Sequence, residues 1–310
     1  MLPEISEFSY GFALTNELVG WVELSAAPIF PSLIEEGKAG GGYDVKLDRP
    51  GAPLYLQFKR SEYMSRRSAK EYQRVRGQGG LLAVPFYRFA ITEAAKSDQH
   101  ELLLALDVSP NHVFYVAPRF HRVIEINDAW SVSAVASRSV FVSPTEIGSL
   151  DEERHAVAFD PSGSWICSDA RPLHTLSSRD VLEKLLDSFR GDDRPLRERL
   201  PELVNELRDA ERRGRQRIVE KRRLAEDQAD SRRTAGIKPT VDVPQEIAPG
   251  YAARAIPSVE GRRRLEAPEP TPPAMREPKP LSPDRLALRE ASDIAARVFD
   301  AQLVIVQPAD

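Results

Sequence analysis

The sequence predicts an α/β protein with a mixed central sheet flanked by helices, followed by a long charged helix and a proline-rich linker. Three observations lead to this prediction. Short apolar runs typical of strands alternate with helical patterns over residues 40–145, which favours an α/β sheet. Charged residues dominate residues 196–233, whereas prolines are concentrated in residues 236–281. With 310 residues, the chain can form one substantial domain or two small ones.

The predicted elements follow one another with short connections. An opening helix over residues 8–23 carries Glu17 among apolar residues at helical spacing. Two strands, at residues 43–47 and 54–59, flank a turn rich in proline and glycine and predict a hairpin. The other predicted elements of the core are a helix at 61–76, a strand at 81–92, a helix at 98–108, a strand at 112–117, a helix at 123–135, a strand at 139–142 and a hairpin at 154–168.

The first hairpin carries polar residues in unusual places. Because strand side chains alternate between faces, Gln57 and Lys59 share one face and Leu56 and Phe58 share the other. If the two strands pair, Asp44 can lie on the same side as Gln57 and Lys59. A carboxylate, an amide and an ammonium group would then meet on one surface, as in a metal-dependent phosphodiesterase.

Asp44, the triplet Gln-Phe-Lys at residues 57–59 and Glu17 on a preceding helix together resemble the PD-(D/E)xK restriction-endonuclease-like nuclease superfamily. In that superfamily the aspartate ends one strand and the triplet lies on the next. This chain departs from the commonest pattern twice, because Tyr43 precedes the aspartate and Gln57 replaces the acidic residue. The resemblance covers roughly the first third of the chain, and its motif is short and degenerate.

The resemblance implies a Mg²⁺ site, with Mn²⁺ as an alternative metal. Its ligands would be Asp44, Glu17, the side-chain oxygen of Gln57 and the backbone carbonyl of Phe58, while Lys59 would orient water or stabilise developing charge. Asp44, Gln57, Lys59 and Glu17 are therefore the candidate catalytic residues. We expect this site to bind metal more weakly than a site with an aspartate or glutamate at position 57, because glutamine is neutral. In the alternative, Asp44 and Lys59 form a surface salt bridge worth at most about 1 kcal/mol, and Glu17 is solvated.

The helix predicted over residues 61–76 follows Lys59 directly and is rich in basic residues. The candidate nucleic-acid contacts in and before this helix are Arg60, Arg66, Arg67, Lys70 and Arg74. Two interpretations remain open. The basic residues are either an ordinary solvated face or a surface that binds phosphates beside the site, where lysine and arginine release counterions.

Four parts are expected along the chain. A nuclease-like domain spans residues 1–175, a helical arm residues 176–235, a disordered proline-rich linker residues 236–281, and a C-terminal docking helix and strand residues 282–310. The arm has sparse apolar positions, so we expect it to pack on a protein partner or to associate with itself. We expect the tail to add a strand to its own sheet, to a second copy or to another subunit.

Composition narrows the expected location and partners. The net charge of −4 does not exclude nucleic acid, because local basic patches attract phosphates. Cys167 is the only cysteine, so an internal disulfide is excluded and a reducing compartment is expected. No secretory signal is recognisable, and no apolar run approaches the ~20 residues that cross a bilayer. We therefore expect a cytoplasmic protein that does not contact membranes.

The sequence favours a metal-dependent DNA endonuclease, with RNA as an open alternative substrate, in a bacterial restriction or anti-phage defence system. A second hypothesis is a non-catalytic nucleic-acid-binding or scaffolding subunit that retains a nuclease-like fold, which the neutral Gln57 favours slightly. Metal binding distinguishes the nuclease from the non-catalytic subunit. Salt-sensitive binding of nucleic acid distinguishes a nucleic-acid-binding subunit from a scaffold.

Overall fold

The structure, a computed structural model, describes residues 1–20, 24–28, 45–93, 96–151, 154–234 and 282–309. The strands within these residues are β1 Leu24–Pro28, β2 Ala52–Phe58, β3 Glu62–Met64, β4 Phe86–Ile91, β5 His112–Pro118, β6 Ser139–Val142, β7 His155–Asp160, β8 Gly163–Ile166, β9 Arg171–Leu173 and β10 Gln302–Pro308. The helices are α1 Glu7–Val19, α2 Lys70–Gly77, α3 Gln99–Leu106, α4 Val123–Ser131, α5 Pro144–Ile147, α6 Ser178–Gly191, α7 Leu196–Thr234 and α8 Pro283–Val298.

The described strands form two sheets of five strands each. The first sheet has the order β1-β10-β2-β5-β6 and is mixed, because β2 and β5 are parallel while its other neighbours are antiparallel. The second sheet has the order β3-β4-β7-β8-β9 and is antiparallel. The predicted mixed sheet is therefore confirmed, and β7 with β8 confirms the hairpin predicted within residues 154–168. The second sheet was not expected as a separate layer.

Apolar cores cover both faces of the first sheet. One core joins it to the second sheet and contains Tyr115 of β5 and Phe159 of β7. The other core packs α1 and α6 on the opposite face and contains Leu14, Leu56 and Leu185. A smaller core includes residues of α2 and the second sheet. Because apolar side chains fill both faces of the first sheet, polar groups can gather only where its strands end.

Strand β2 is an interior strand with a neighbour on each side. Tyr55 and Leu56 lie in different cores, which confirms the predicted alternation of faces. Residues 45–47 belong to no strand, and β10 and β5 occupy the two sides of β2. The predicted hairpin between residues 43–47 and β2 is therefore wrong; residues 43 and 44 themselves lie outside the described residues.

The basic segment after Lys59 is not one helix. Glu62–Met64 form β3, which pairs with β4, and α2 begins at Lys70 with Ala69 as its N-cap. Ser61 is buried and caps no helix. The prediction of a helix over residues 61–76 is therefore wrong in its first half, because pairing with β4 satisfies backbone groups that a helix would otherwise have to satisfy.

The compact unit of the chain extends well beyond residue 175. It consists of Met1–Lys221 together with Pro280–Asp310, and a second unit comprises Arg222–Lys279, of which the structure describes the helical residues up to Thr234. The residues of α7 that lie in the core between the sheets are Leu196, Leu200, Leu203, Val204, Leu207, Ala210 and Ile218. The predicted domain boundary at residue 175 and the separate arm from residue 176 are therefore corrected. The linker predicted at residues 236–281 lies outside the described residues.

The long charged helix α7 packs on its own domain because its sparse apolar residues recur at helical spacing and form one stripe. Where α7 passes α3, a Cβ atom on Gly214 would lie 2.8 Å from the Leu102 side chain, so glycine permits the close approach. Further along, the ammonium of Lys221 binds the Glu101 carboxylate at 2.9 Å. The apolar stripe that was expected to bind a partner is thus buried within the chain.

The C-terminal tail inserts into the first sheet. Strand β10 lies between β1 and β2, and α8 buries Leu288, Ala291 and Ala295 in the core that joins the sheets. Of the three expected ways of docking, the structure therefore shows addition to the chain's own sheet. The tail surface expected to bind a partner is likewise used within the chain.

Candidate functional site

Gln57 and Lys59 lie at the carboxyl end of β2, in the interior of the first sheet. Both residues are buried, with 6% and 9% of their surface exposed. The backbone amide of Lys59 donates to the Val116 carbonyl at 2.8 Å and continues the parallel pairing with β5. Ligands often bind at the carboxyl ends of strands in α/β sheets, because side chains from several elements converge there.

The Lys59 ammonium is held by groups from two other elements. It donates to Oε1 of Gln99, the first residue of α3, at 3.4 Å, and lies 5.6 Å from the centroid of the Tyr115 ring. The same Gln99 amide donates through Nε2 to Oδ2 of Asp300 at 2.7 Å. Gln99 therefore connects Lys59 with a carboxylate from the turn between α8 and β10.

Burial lowers the pKa of Lys59 below its ordinary value of 10.5, and the negative charges of Glu7 and Asp300 act in the opposite direction. An ammonium in this position is partly deprived of water, and its charge is compensated by acids without a direct ion pair among the described residues. Amines with such shifted pKa values are enriched at functional sites, although structural networks also produce them.

A cavity of about 620 Å³ opens between α1, the end of β2 and the turn before β10. Its lining includes the acidic residues Glu7 and Asp300, both exposed, together with Gln57. Asp300 has a φ of 49°, in the left-handed region that aspartate tolerates better than most residues. This backbone conformation places the only described aspartate of the cavity wall within reach of Gln99.

Two oxygen atoms at the end of β2 are candidate ligand atoms, those of the Gln57 side chain and the Phe58 backbone. The side-chain oxygen of Gln57 is buried and has no hydrogen-bond partner among the described residues, which costs about 1–3 kcal/mol when nothing binds there. The backbone groups of Phe58 point away from β5, because those of Lys59 point towards it and successive residues alternate. On that side β10 begins at Gln302, opposite Leu56, and does not extend to Phe58.

Glu17 has a different position from the one expected. Its carboxylate accepts hydrogen bonds from the backbone amides of Val135 and Ala136, at 2.7 and 3.2 Å. Glu17 lies ten residues after Glu7 on α1, which corresponds to about 15 Å along the helix axis. Glu7 lines the cavity and Glu17 is not among its lining residues, so the predicted role of Glu17 as a ligand stays a prediction.

Asp44 lies outside the described residues, so its predicted roles stay predictions. The residues that follow it run beside the opposite end of β2 from Lys59. The backbone amide of Lys46 donates to Oε1 of Gln307 at 2.9 Å, and the amide of Gln307 donates to the carbonyls of Lys46 and Pro50.

The predicted basic contacts are all exposed but come from three different local structures. Arg60 precedes β3, Arg66 and Arg67 lie in the loop after it, and Lys70 and Arg74 lie on α2. Within the described part of the chain, none of these five side chains forms a hydrogen bond or ion pair. The nearby Arg88, in contrast, is paired with Glu62 and Glu71. The unpaired cations are therefore free to contact an anionic ligand.

Sequence reasoning missed Glu7, Gln99 and Asp300. No spacing connects them, since they come from the first helix, a helix that follows β4 and the turn before the last strand. The only local signal for any of the three was the position of Asp300, an isolated aspartate between an amphipathic helix and a short apolar strand.

The fold and this site define a class: a mixed α/β protein with two sheets, carrying a buried lysine and two carboxylates at the end of an interior strand. Comparisons with protein-family models, curated proteins and solved structures each found no match. No helix among the described residues is long and apolar enough to cross a membrane.

Proposed function

We propose that this chain is a metal-dependent nuclease of the PD-(D/E)xK-like kind, with its active site at the carboxyl end of β2. The observation that carries the proposal is the buried Lys59, which Gln99 holds beside a cavity lined by Glu7, Gln57 and Asp300. Residues 57–59 resemble the nuclease triplet, and the lining of the cavity supplies acidic groups that the triplet lacks.

The oxygen atoms at this site suit a hard cation such as Mg²⁺ or Mn²⁺. Mg²⁺ usually takes only one or two carboxylates and keeps several waters. Glu7 and Asp300 would supply carboxylates, and the partnerless oxygen of Gln57 and the carbonyl of Phe58 would supply neutral ligands. Among the described residues no group of three acidic, histidine or cysteine side chains could hold a metal.

The chain's own residues would prepare the phosphate for attack. When bound, the metal ion would polarise the phosphodiester and lower the pKa of a water molecule. Lys59 would place a positive charge beside the phosphate oxygens, where negative charge develops during hydrolysis. Gln99 would hold the ammonium in position through Oε1 and, through Nε2, would orient the carboxylate of Asp300.

The proposed biological setting is bacterial restriction or anti-phage defence in the cytoplasm, with DNA as the substrate and a protein partner for targeting. This setting rests on the resemblance to nucleases of that kind. A non-catalytic nucleic-acid-binding subunit is the second candidate, because Gln57 replaces an acid at the motif and thereby weakens the expected metal site.

Purified protein should nick supercoiled plasmid or cut single-stranded DNA in Mg²⁺ or Mn²⁺ and not in EDTA. Glu7→Gln and Asp300→Asn should each reduce cleavage, because each removes a carboxylate assigned to the cation. Asp128→Asn, at an exposed position on α4, is the matched control and should cleave like the parent. Cleavage that persists in EDTA, or acidic variants as active as the control, would contradict the proposed metal site.

The unpaired arginines should make nucleic-acid binding sensitive to salt. We expect the double variant Arg66→Ala/Arg67→Ala to bind DNA more weakly, and the slope of log affinity against log salt to fall by about two, because each phosphate contact contributes about one counterion. Fluorescence anisotropy at salt concentrations from about 50 to about 300 mM measures this slope. Arg179→Ala/Arg190→Ala on α6, whose side chains pair with neighbouring acids, is the control. Equal slopes in both proteins would place the nucleic acid elsewhere.

A further inference from the structure

The cavity lined by Glu7, Gln57 and Asp300 has an apolar wall that the proposed hydrolysis does not use. Phe8 and Phe12 line it from α1 and are 78% and 61% exposed. They are four residues apart, so their rings lie on the same face of the helix. Leu56, Phe58 and Ala296 continue the apolar wall. Exposed aromatic rings at the mouth of a cavity are typical of a binding surface.

We propose that this cavity binds an unpaired nucleobase next to the phosphate that is cleaved. The preferred substrate is then nucleic acid with unpaired bases, in single strands or at frayed ends, in place of intact duplex. The inference rests on the proposed function, since the base must belong to the strand whose phosphate lies beside Lys59.

The size of the cavity and its aromatic wall favour this occupant. A cavity of about 620 Å³ falls within the ~300–1,000 Å³ range of sites for small organic groups, so it can accept a base with its sugar. Aromatic side chains stack on any base, because every base has a π face. The exposed Arg60 follows the strand whose Leu56 and Phe58 form the wall, and its guanidinium suits a phosphate attached to that base.

A base within a duplex cannot enter such a cavity. It is stacked on both faces and paired at its edge, and extruding it costs a few kcal/mol. An unpaired base avoids this cost, and its π face can stack on the exposed rings of Phe8 and Phe12. Selectivity for unpaired strands would follow from this difference.

The test measures binding in EDTA, so that cleavage plays no part. Fluorescence anisotropy compares a single-stranded oligonucleotide with an analogue that has the same phosphates and no bases, in DNA and in RNA forms. We expect the parent to bind the base-containing strand roughly 5- to 150-fold more tightly than its analogue, the range that stacking of one base supports. Phe8→Ala/Phe12→Ala should lose this preference and should bind the base-free analogue as the parent does.

Two further variants keep the test independent of folding. Ala296→Leu narrows the cavity from an exposed position on α8 and should also reduce the preference. Val123→Ala/Ile124→Ala removes an apolar pair that is 51% and 57% exposed on α4 and should leave the preference intact. A parent without preference for bases, or a phenylalanine variant that keeps it, would overturn the inference. Dimerisation of the parent that the phenylalanine variant loses would also overturn it, in favour of a second copy as the occupant.

The two proposals fail differently. A parent that prefers base-containing strands but never cleaves them in Mg²⁺ or Mn²⁺ would support the base site and contradict the nuclease. A parent that cleaves in a metal-dependent way but binds both strands equally would support the nuclease and contradict the base site.

Discussion

Lys59→Met should slow metal-dependent cleavage by about 10²–10³-fold, because it removes the positive charge proposed to stabilise the developing phosphate charge. Methionine has a similar length and is apolar, so it fits the buried position at the end of β2 without leaving a cavity. Gel-based cleavage of plasmid and single-stranded DNA at saturating Mg²⁺ measures the effect.

Lys184→Met is the matched control, since Lys184 is an exposed lysine on α6, away from the proposed site and the candidate nucleic-acid contacts. It should cleave nearly as the parent does. A Lys59→Met protein with parental cleavage would remove Lys59 from the active site. Equal losses of cleavage in Lys59→Met and Lys184→Met would indicate a general effect of charge on nucleic-acid binding.

The stability of the parent relative to Lys59→Met supplies a check that does not depend on cleavage. The pKa of Lys59 is lowered in the folded protein from its ordinary value of 10.5. At pH values between the lowered pKa of the folded protein and about 10.5, the unfolded chain binds more protons than the folded protein. The free energy of unfolding of the parent therefore rises with pH in this range. Urea unfolding at several pH values should therefore show the parent gaining stability relative to Lys59→Met as pH rises. A difference in free energy of unfolding between the two proteins that does not change with pH would contradict the burial of a charged Lys59.

Removing the C-terminal tail by truncation after residue 281 should prevent folding of the compact unit. The tail supplies β10, whose removal would separate β1 from β2 and expose the hydrogen-bonding edge of both. It also contributes Phe299, Leu303 and Ile305 to the core between the sheets. Circular dichroism and proteolysis of the truncated protein measure the loss.

A graded version of the same test uses single substitutions. Ile305→Ala, at a fully buried position of β10, should reduce the free energy of unfolding by about 2–5 kcal/mol. Leu286→Ala on α8 removes the same kind of side chain from a position that is 52% exposed and should change it by less than about 0.5 kcal/mol. A folded, stable truncated protein, together with a mild Ile305→Ala variant, would show that the tail is dispensable.

The local patterns of the sequence predicted much of the first sheet. Alternating apolar residues indicated β2, and the two cores confirm the alternation for Tyr55 and Leu56. The apolar run at residues 302–306 predicted a strand, and the amphipathic pattern before it predicted α8. These predictions succeeded because they depend on the period of side chains along one element.

Predictions that depended on pairing failed or remained open. The turn-rich residues 48–53 suggested a hairpin, but β2 takes β10 and β5 as its neighbours, and β10 lies about 250 residues away in the sequence. The helix predicted from residue 61 was interrupted by β3 because β4 was available to pair with it. Local propensity does not indicate which distant strand will satisfy a backbone.

The sequence alone therefore determined the strand that carries Gln57 and Lys59, the face they share and the exposed basic residues that follow. Only the tertiary structure decided which groups surround Lys59: Gln99, Glu7 and Asp300 reach it because α3, α1 and the inserted C-terminal tail meet at the end of β2. The physical reason is that periodicity acts within one element, whereas a site is assembled by contacts between elements that no spacing along the chain encodes.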